Sequence, residues 1–180
     1  SILSRPGGME YAVELHSMSK GFNMTGWRLG WVCGNALAVK AFSDVKDNDD
    51  SGQFLAIQKA SIKALQNQAE ITPLICEKYR RRLAALVETL KDLGFDAQMP
   101  EGSFFLYVEI PKGIKCGRKF ANGEEFSQWM ITEKLISTVP WDDVGNFVRF
   151  SATFVAPTLE EEQKVLEEVK RRLQDSEFEF

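Results

Sequence analysis

The chain has 180 residues, 44% hydrophobic and 27% charged, with 22 basic and 26 acidic side chains for a net charge of −4. This composition excludes a disordered chain, gives no basic field for nucleic acid or anionic lipid, and fits one globular domain or two small ones. Three cysteines without a CxxC pair (Cys33, Cys76, Cys116) argue for free thiols and against a metal knuckle. No apolar run reaches the roughly 18 residues of a membrane span, so a cytoplasmic protein with neither membrane nor nucleic-acid partner is expected.

In chain order, Tyr11–His16 alternates apolar and polar residues as a half-buried strand does. A polar turn, Ser17 to Thr25, leads to a second strand, Trp27–Cys33. There Trp27 and Trp31 share one face, and Arg28 stands among apolar neighbours. Asn35 is an N-cap for a helix to about Val45, followed by a polar loop, Lys46 to Gly52. Phe54, Ile57, Ile62 and Leu65 recur at helical spacing. A long helix is then predicted from Thr72 as cap and Pro73 as first residue to a closing Gly94. Its apolar side is Leu74, Ile75, Leu83, Leu86, Val87, Leu90 and Leu93, with Lys78 and Arg80–Arg82 on solvated faces.

After Gly94 the pattern is strand (Phe104–Ile110), loop (Pro111–Asn122), helix (Glu124–Leu135) and two strands (Ile136–Val139, Phe147–Thr153). A last helix opens on the capping box Thr158-Leu159-Glu160-Glu161, with Leu159, Val165, Leu166, Val169 and Leu173 on its apolar side. The order predicts an α+β layer with helices on one face. His16 is the only histidine, so a serine or cysteine nucleophile activated by histidine would have to run through it.

The chemistry concentrates in Ser17-Met18-Ser19-Lys20 and Gly26-Trp27-Arg28-Leu29-Gly30. An amine, a guanidinium and two hydroxyls in one turn hold an anion and offer a nucleophile. The pattern Ser-x-Ser-Lys with Gly-x-Arg-x-Gly resembles the lysine signature of the class I/II, fold type I aminotransferases. Downstream, Asn146–Ser151 resembles the strand whose arginine, here Arg149, grips the substrate carboxylate in that family. Pro100–Phe105, with Gly102, is similar to the segment folding over the substrate. Asp49–Phe54 and Val139–Asp143 look closest to the LL-diaminopimelate aminotransferase branch, and the resemblance covers essentially the whole chain.

The resemblance implies an α/β protein, the C-terminal half of a fold type I enzyme using pyridoxal 5′-phosphate. Residues 1–50 would close the large cofactor domain, 51–94 would connect, and 95–180 would form the small α+β domain. Lys20 would be the catalytic residue bonded to the cofactor; Ser17, Ser19, Lys20 and Arg28 would bind it; Arg149 and Gly102 would meet the substrate; no metal is implied. The activity implied is amino transfer between an amino acid and a 2-oxo acid, possibly LL-diaminopimelate and 2-oxoglutarate, in a homodimer. A lyase of the same fold and a non-enzymatic regulatory relative stay open. Only 19 residues precede Lys20, and the family's aspartate and tyrosine that contact the cofactor ring lie further upstream than that. The chain by itself is therefore expected to be inactive.

Overall fold

A computed structural model describes residues 1–180, which divide into two compact units, residues 1–76 and 77–180. The first unit opens with a short helix α1 (Gly8–Tyr11), then strand β1 (Val13–Ser17). Helix α2 (Met18–Gly21), a 3₁₀ turn (Thr25–Trp27) and strand β2 (Gly30–Gly34) follow. β1 and β2 form an antiparallel pair with Glu14 opposite Cys33, His16 opposite Trp31 and Ser17 opposite Gly30. Two glycines permit this close pairing. A Cβ on Gly30 would lie 2.6 Å from the His16 carbonyl oxygen, and one on Gly34, at φ +129°, would lie 2.3 Å from that of Ala12.

Asn35 caps α3 (Ala36–Asp49), its side chain accepting from the Ala38 amide. The helix outlasts its expected end near Val45: along the supposed loop Lys46 makes an i,i+4 ion pair with Asp50, and the Asn48 side-chain amide donates to the Asp44 carbonyl. Helix α4 (Leu55–Gln66) ends at Asn67, whose side-chain amide donates to the Lys63 carbonyl. Helix α5 (Gln68–Asp92) starts immediately after it and crosses the boundary between the units. Pro73 thus lies inside the helix and not at its first position, at the cost of one backbone hydrogen bond.

In the second unit, α5 buries Tyr79, Arg82, Leu83, Leu86, Val87 and Leu90, a stripe at 3–4-residue spacing. Gly94, at φ +92°, ends it, and the Phe95 amide returns to the Leu90 carbonyl. Strand β3 (Phe105–Glu109) precedes β4 (Gly113–Ile114), α6 (Gly123–Lys134), β5 (Val139–Trp141), β6 (Phe147–Ser151), α7 (Leu159–Leu173) and β7 (Phe178–Glu179). The main sheet is antiparallel, ordered β3-β6-β5 with β6 central.

Alternation puts Leu106, Val108, Val148 and Phe150 on the buried face, with Phe126, Trp129 and Met130 of α6 also in the core. The other face carries Phe105, Tyr107 and Arg149. The β4–β7 ladder has no counterpart in the expected loop Pro111–Asn122. Two residues per strand leave no alternation to detect, and the ladder is held by the rings of Phe178 and Phe180 against Phe95.

The basic triplet departs from expectation. Arg82 is only 2% exposed. Its Nε donates to Glu162 Oε1 at 2.8 Å, and its other nitrogens donate to the carbonyls of Ala152, Phe154 and Ala156. Arg81 grips the same carboxylate with both Nε and Nη2 at 3.0 Å, and only Arg80 keeps an exposed ion pair, with Glu77. Glu162 occupies a core-facing position of α7 that its apolar neighbours Leu166 and Leu173 share, whereas Leu159 is exposed. The Arg81 hydrogen bonds, with Arg82 adding, hold the Glu162 carboxyl at about 2 against the opposing effect of burial.

Candidate active site

The lysine-bearing segment is a connection between two paired strands, and its ends are tied. Ser17 still pairs with Gly30, the Met18 amide donates to the Leu29 carbonyl, and the Met24 amide donates to the Met18 carbonyl. Met18 is completely buried and pins the turn from within. Ser17 ends β1 and caps α2, its Oγ accepting from the Ser19 amide at 3.1 Å. Ser19 is buried, and its carbonyl accepts from Thr25 Oγ1 at 3.0 Å. Lys20 falls in the last turn of α2 with its side chain exposed.

Arg28 is not the strand residue that its apolar neighbours implied. Trp27 closes the 3₁₀ turn and Arg28 follows in the left-handed region at φ +53°, exposed, with Nη1 donating to the Thr25 carbonyl at 2.9 Å. This removes Trp27 from the face of Trp31 and turns the guanidinium back over the turn that holds Ser19 and Thr25. Arg28 also borders a hollow of about 410 Å³ with Gly30, Trp31 and Phe42, whose walls do not include Ser17 or Lys20. Two hydroxyls, an ammonium and a guanidinium within one tied turn are a donor set suited to a phosphate and, through the amine, an aldehyde. Pyridoxal 5′-phosphate carries both groups, and the residues present fit it.

In the second unit Arg149 sits in the middle of the central strand, opposite Tyr107 of β3 and Val139 of β5. Its guanidinium carbon lies 4.1 Å from the centre of the Phe105 ring and 5.1 Å from that of Trp141. Its Nε is buried without a hydrogen-bond partner. A buried guanidinium nitrogen left unpaired is costly, and a planar anion such as a carboxylate would satisfy it in bidentate fashion. Gly102 lies exposed in the bend before β3, with open space around it. The site residues therefore form two sets, Ser17, Ser19, Lys20 and Arg28 in the first unit, Arg149 and Gly102 in the second.

Reasoning from sequence missed the two rings that flank Arg149. Trp141 packs beside Arg149 and edge-on to Tyr107, and Asp142 accepts from the amides of Gly123 and Glu124 at the start of α6. No signal within either segment could have found the rings, because they stand on β3 and β5 and meet Arg149 only through the strand register. His16 stacks on Trp31, ring centres 5.1 Å apart and 9° from parallel.

Comparison with known proteins gives the arrangement its context. The profile of the family described as "Aminotransferase class I and II" matches residues 4–169. An LL-diaminopimelate aminotransferase of Methanococcus maripaludis is 57% identical over the whole chain, and that of Methanocaldococcus jannaschii 53%. The chain spans 44% of the length of each of these relatives. Among solved structures, apo-BacF of Bacillus subtilis superimposes with a TM-score of 0.79 at 27% identity, over 94% of this chain and 43% of that one. An aromatic aminotransferase of Pyrococcus horikoshii gives 0.78 at 25% identity, over 97% and 46%. With the profile running through the turn that ties Lys20 and the strand that carries Arg149, the chain belongs to the class I and II aminotransferases and corresponds to a C-terminal part of their fold.

Proposed function

We propose that this chain supplies the lysine and the carboxylate-binding arginine of a pyridoxal 5′-phosphate-dependent aminotransferase acting on LL-diaminopimelate with 2-oxoglutarate as the partner 2-oxo acid. The observation that carries the reading is Arg149, whose buried Nε lacks a partner while two aromatic rings fix the guanidinium plane. The specificity follows that of the LL-diaminopimelate aminotransferases that are 57% and 53% identical.

The residues divide the work. Arg28 and the hydroxyls of Ser17 and Ser19 would hold the cofactor's phosphate, and the Lys20 amine would hold its aldehyde carbon. When bound, the cofactor supplies an electron sink for the bond broken at the substrate Cα. The Lys20 amine would also carry the proton at the substrate Cα. Arg149 fixes the α-carboxylate and so selects which Cα bond is aligned for cleavage. Gly102, without a side chain, lets the segment before β3 come close to the substrate. The working enzyme is a cytoplasmic homodimer, and the 180-residue chain alone turns over no substrate.

The test is to replace the matching C-terminal part of the Methanococcus maripaludis relative with this chain. The chimera should form LL-diaminopimelate-dependent glutamate. Lys20→Ala should abolish turnover and the absorbance of lysine-bound cofactor, and Arg149→Ala should chiefly raise KM for the amino acid. A folded, dimeric chimera that is inactive, or turnover surviving Lys20→Ala, overturns the proposal, as does activity of the isolated 180-residue chain.

A further inference from the structure

The antiparallel pairing of β1 with β2 assembles a second constellation that no spacing in the sequence announces. Glu14 and His16 are two apart on β1 and therefore share a face, and Cys33 of β2 lies directly opposite Glu14. The carboxylate oxygen, the imidazole nitrogen and the thiol sulfur all lie within 4.8 Å of one another. We propose that Glu14, His16 and Cys33 form a binding site for Zn²⁺. This inference is independent of the aminotransferase reading, since none of the three residues serves there.

The geometry suits that ion. Zinc bonds of about 2.3 Å to sulfur and about 2.0–2.2 Å to nitrogen and oxygen place tetrahedral ligand atoms roughly 3.3–3.7 Å apart. His16 Nε2 and Glu14 Oε2, 2.9 Å apart, need only spread slightly, and the sulfur starts within 4.8 Å of both. A thiolate with an imidazole selects zinc over magnesium or calcium. One thiolate and one carboxylate balance the ion's two charges, and a fourth position remains for water.

The surroundings already orient the ligands. Ser1 Oγ and the Leu3 amide both donate to Glu14 Oε1, which leaves Oε2 directed at His16. The stacked Trp31 ring fixes the imidazole plane. The His16 side chain is 42% exposed, so an ion has a path in. On binding, the Cys33 S–H bond is replaced by a sulfur–zinc bond and its proton passes to the buffer. His16 binds as the neutral ring with its hydrogen on Nδ1, so the Nε2 lone pair faces the metal.

The experiment uses the reduced, metal-free 180-residue chain titrated with Co²⁺ and then Zn²⁺. Expected are a near-ultraviolet thiolate-to-cobalt band and visible bands of tetrahedral cobalt, erased by one equivalent of zinc. Cys33→Ser should remove the near-ultraviolet band, His16→Ala should weaken binding at least 10-fold, and a Cys76→Ser/Cys116→Ser double variant should behave as wild type. In the wild-type chain, where no variant's folding intervenes, zinc should shield Cys33 from alkylation and leave the exposed Cys76 and Cys116 reactive. Absence of the bands, their survival in Cys33→Ser, their loss in the double variant, or equal alkylation of Cys33 with and without zinc each overturns the proposal.

Discussion

Replacing Glu162 by glutamine tests the ionic core of the second unit. The neutral isostere keeps the volume and one acceptor oxygen but removes the charge that Arg81 and Arg82 share, leaving the Arg82 guanidinium, 2% exposed, with only neutral oxygens as partners. The drop in the carboxyl pKa from 4.5 to about 2 corresponds, at about 1.4 kcal/mol per pH unit, to about 3 kcal/mol of stability at pH 7. That matches the roughly 3–5 kcal/mol expected when one partner of a buried pair is removed.

The sign follows from a carboxyl depressed in the folded state. Its contribution is complete above about 4.5 and is lost as pH falls through about 2, so by pH 3 less than half remains. Urea unfolding followed by Trp129 and Trp141, in a Trp27→Phe/Trp31→Phe background so that the signal reports the second unit, measures it. At a slope of about 1.5 kcal/mol per molar urea, Glu162→Gln should lower the pH 7 midpoint by about 2 M. A pH 7 shift below about 0.5 M, or a gap equally wide at pH 3, refutes the reasoning.

Asp142→Ala removes the acceptor of the Gly123 and Glu124 amides and should cost about 1–2 kcal/mol in the same urea assay. Phe126→Ala empties a fully buried site ringed by Phe120, Trp129 and Phe178, and should cost about 3–5 kcal/mol. Thr158→Ala breaks both halves of the capping box on α7, a loss of about 0.5–2 kcal/mol readable as a lower thermal midpoint. Gly34→Ala places a methyl 2.3 Å from the Ala12 carbonyl oxygen at a positive φ, so hydrogen exchange of the β1–β2 amides should accelerate. Unchanged exchange would show that the strands shift to make room.

What could be read without coordinates was whatever a short stretch of chain decides by itself. Asn35, Gly94 and Thr158 mark helix ends because the capping group and the capped amide or carbonyl are only a few residues apart. The turn with Lys20 was legible for a different reason, since its residue types and spacing match a family signature. Properties decided by distant partners were not legible. Arg82 looks like surface beside Arg80, and only Glu162, eighty residues later, makes it core. Arg28 looked like a strand residue because Trp27, Leu29 and Trp31 surround it, whereas the backbone turns left-handed there. The aromatic flanks of Arg149 come from two other strands, so they emerge only once the register is known.

Met18 gives the tied turn an internal clock. Its sulfur is fully enclosed, whereas Met9 and Met99 are 59% and 44% exposed. Peroxide therefore converts Met9 and Met99 to sulfoxide at the rate of simple encounter, but reaches Met18 only while the segment between β1 and β2 is open. The ratio of those oxidation rates, read by peptide mass spectrometry, measures how often the lysine-bearing turn unlatches. Once oxidised, Met18 is a polar group that no longer fits its enclosure, and the turn that presents Lys20 and Arg28 loses its inner pin.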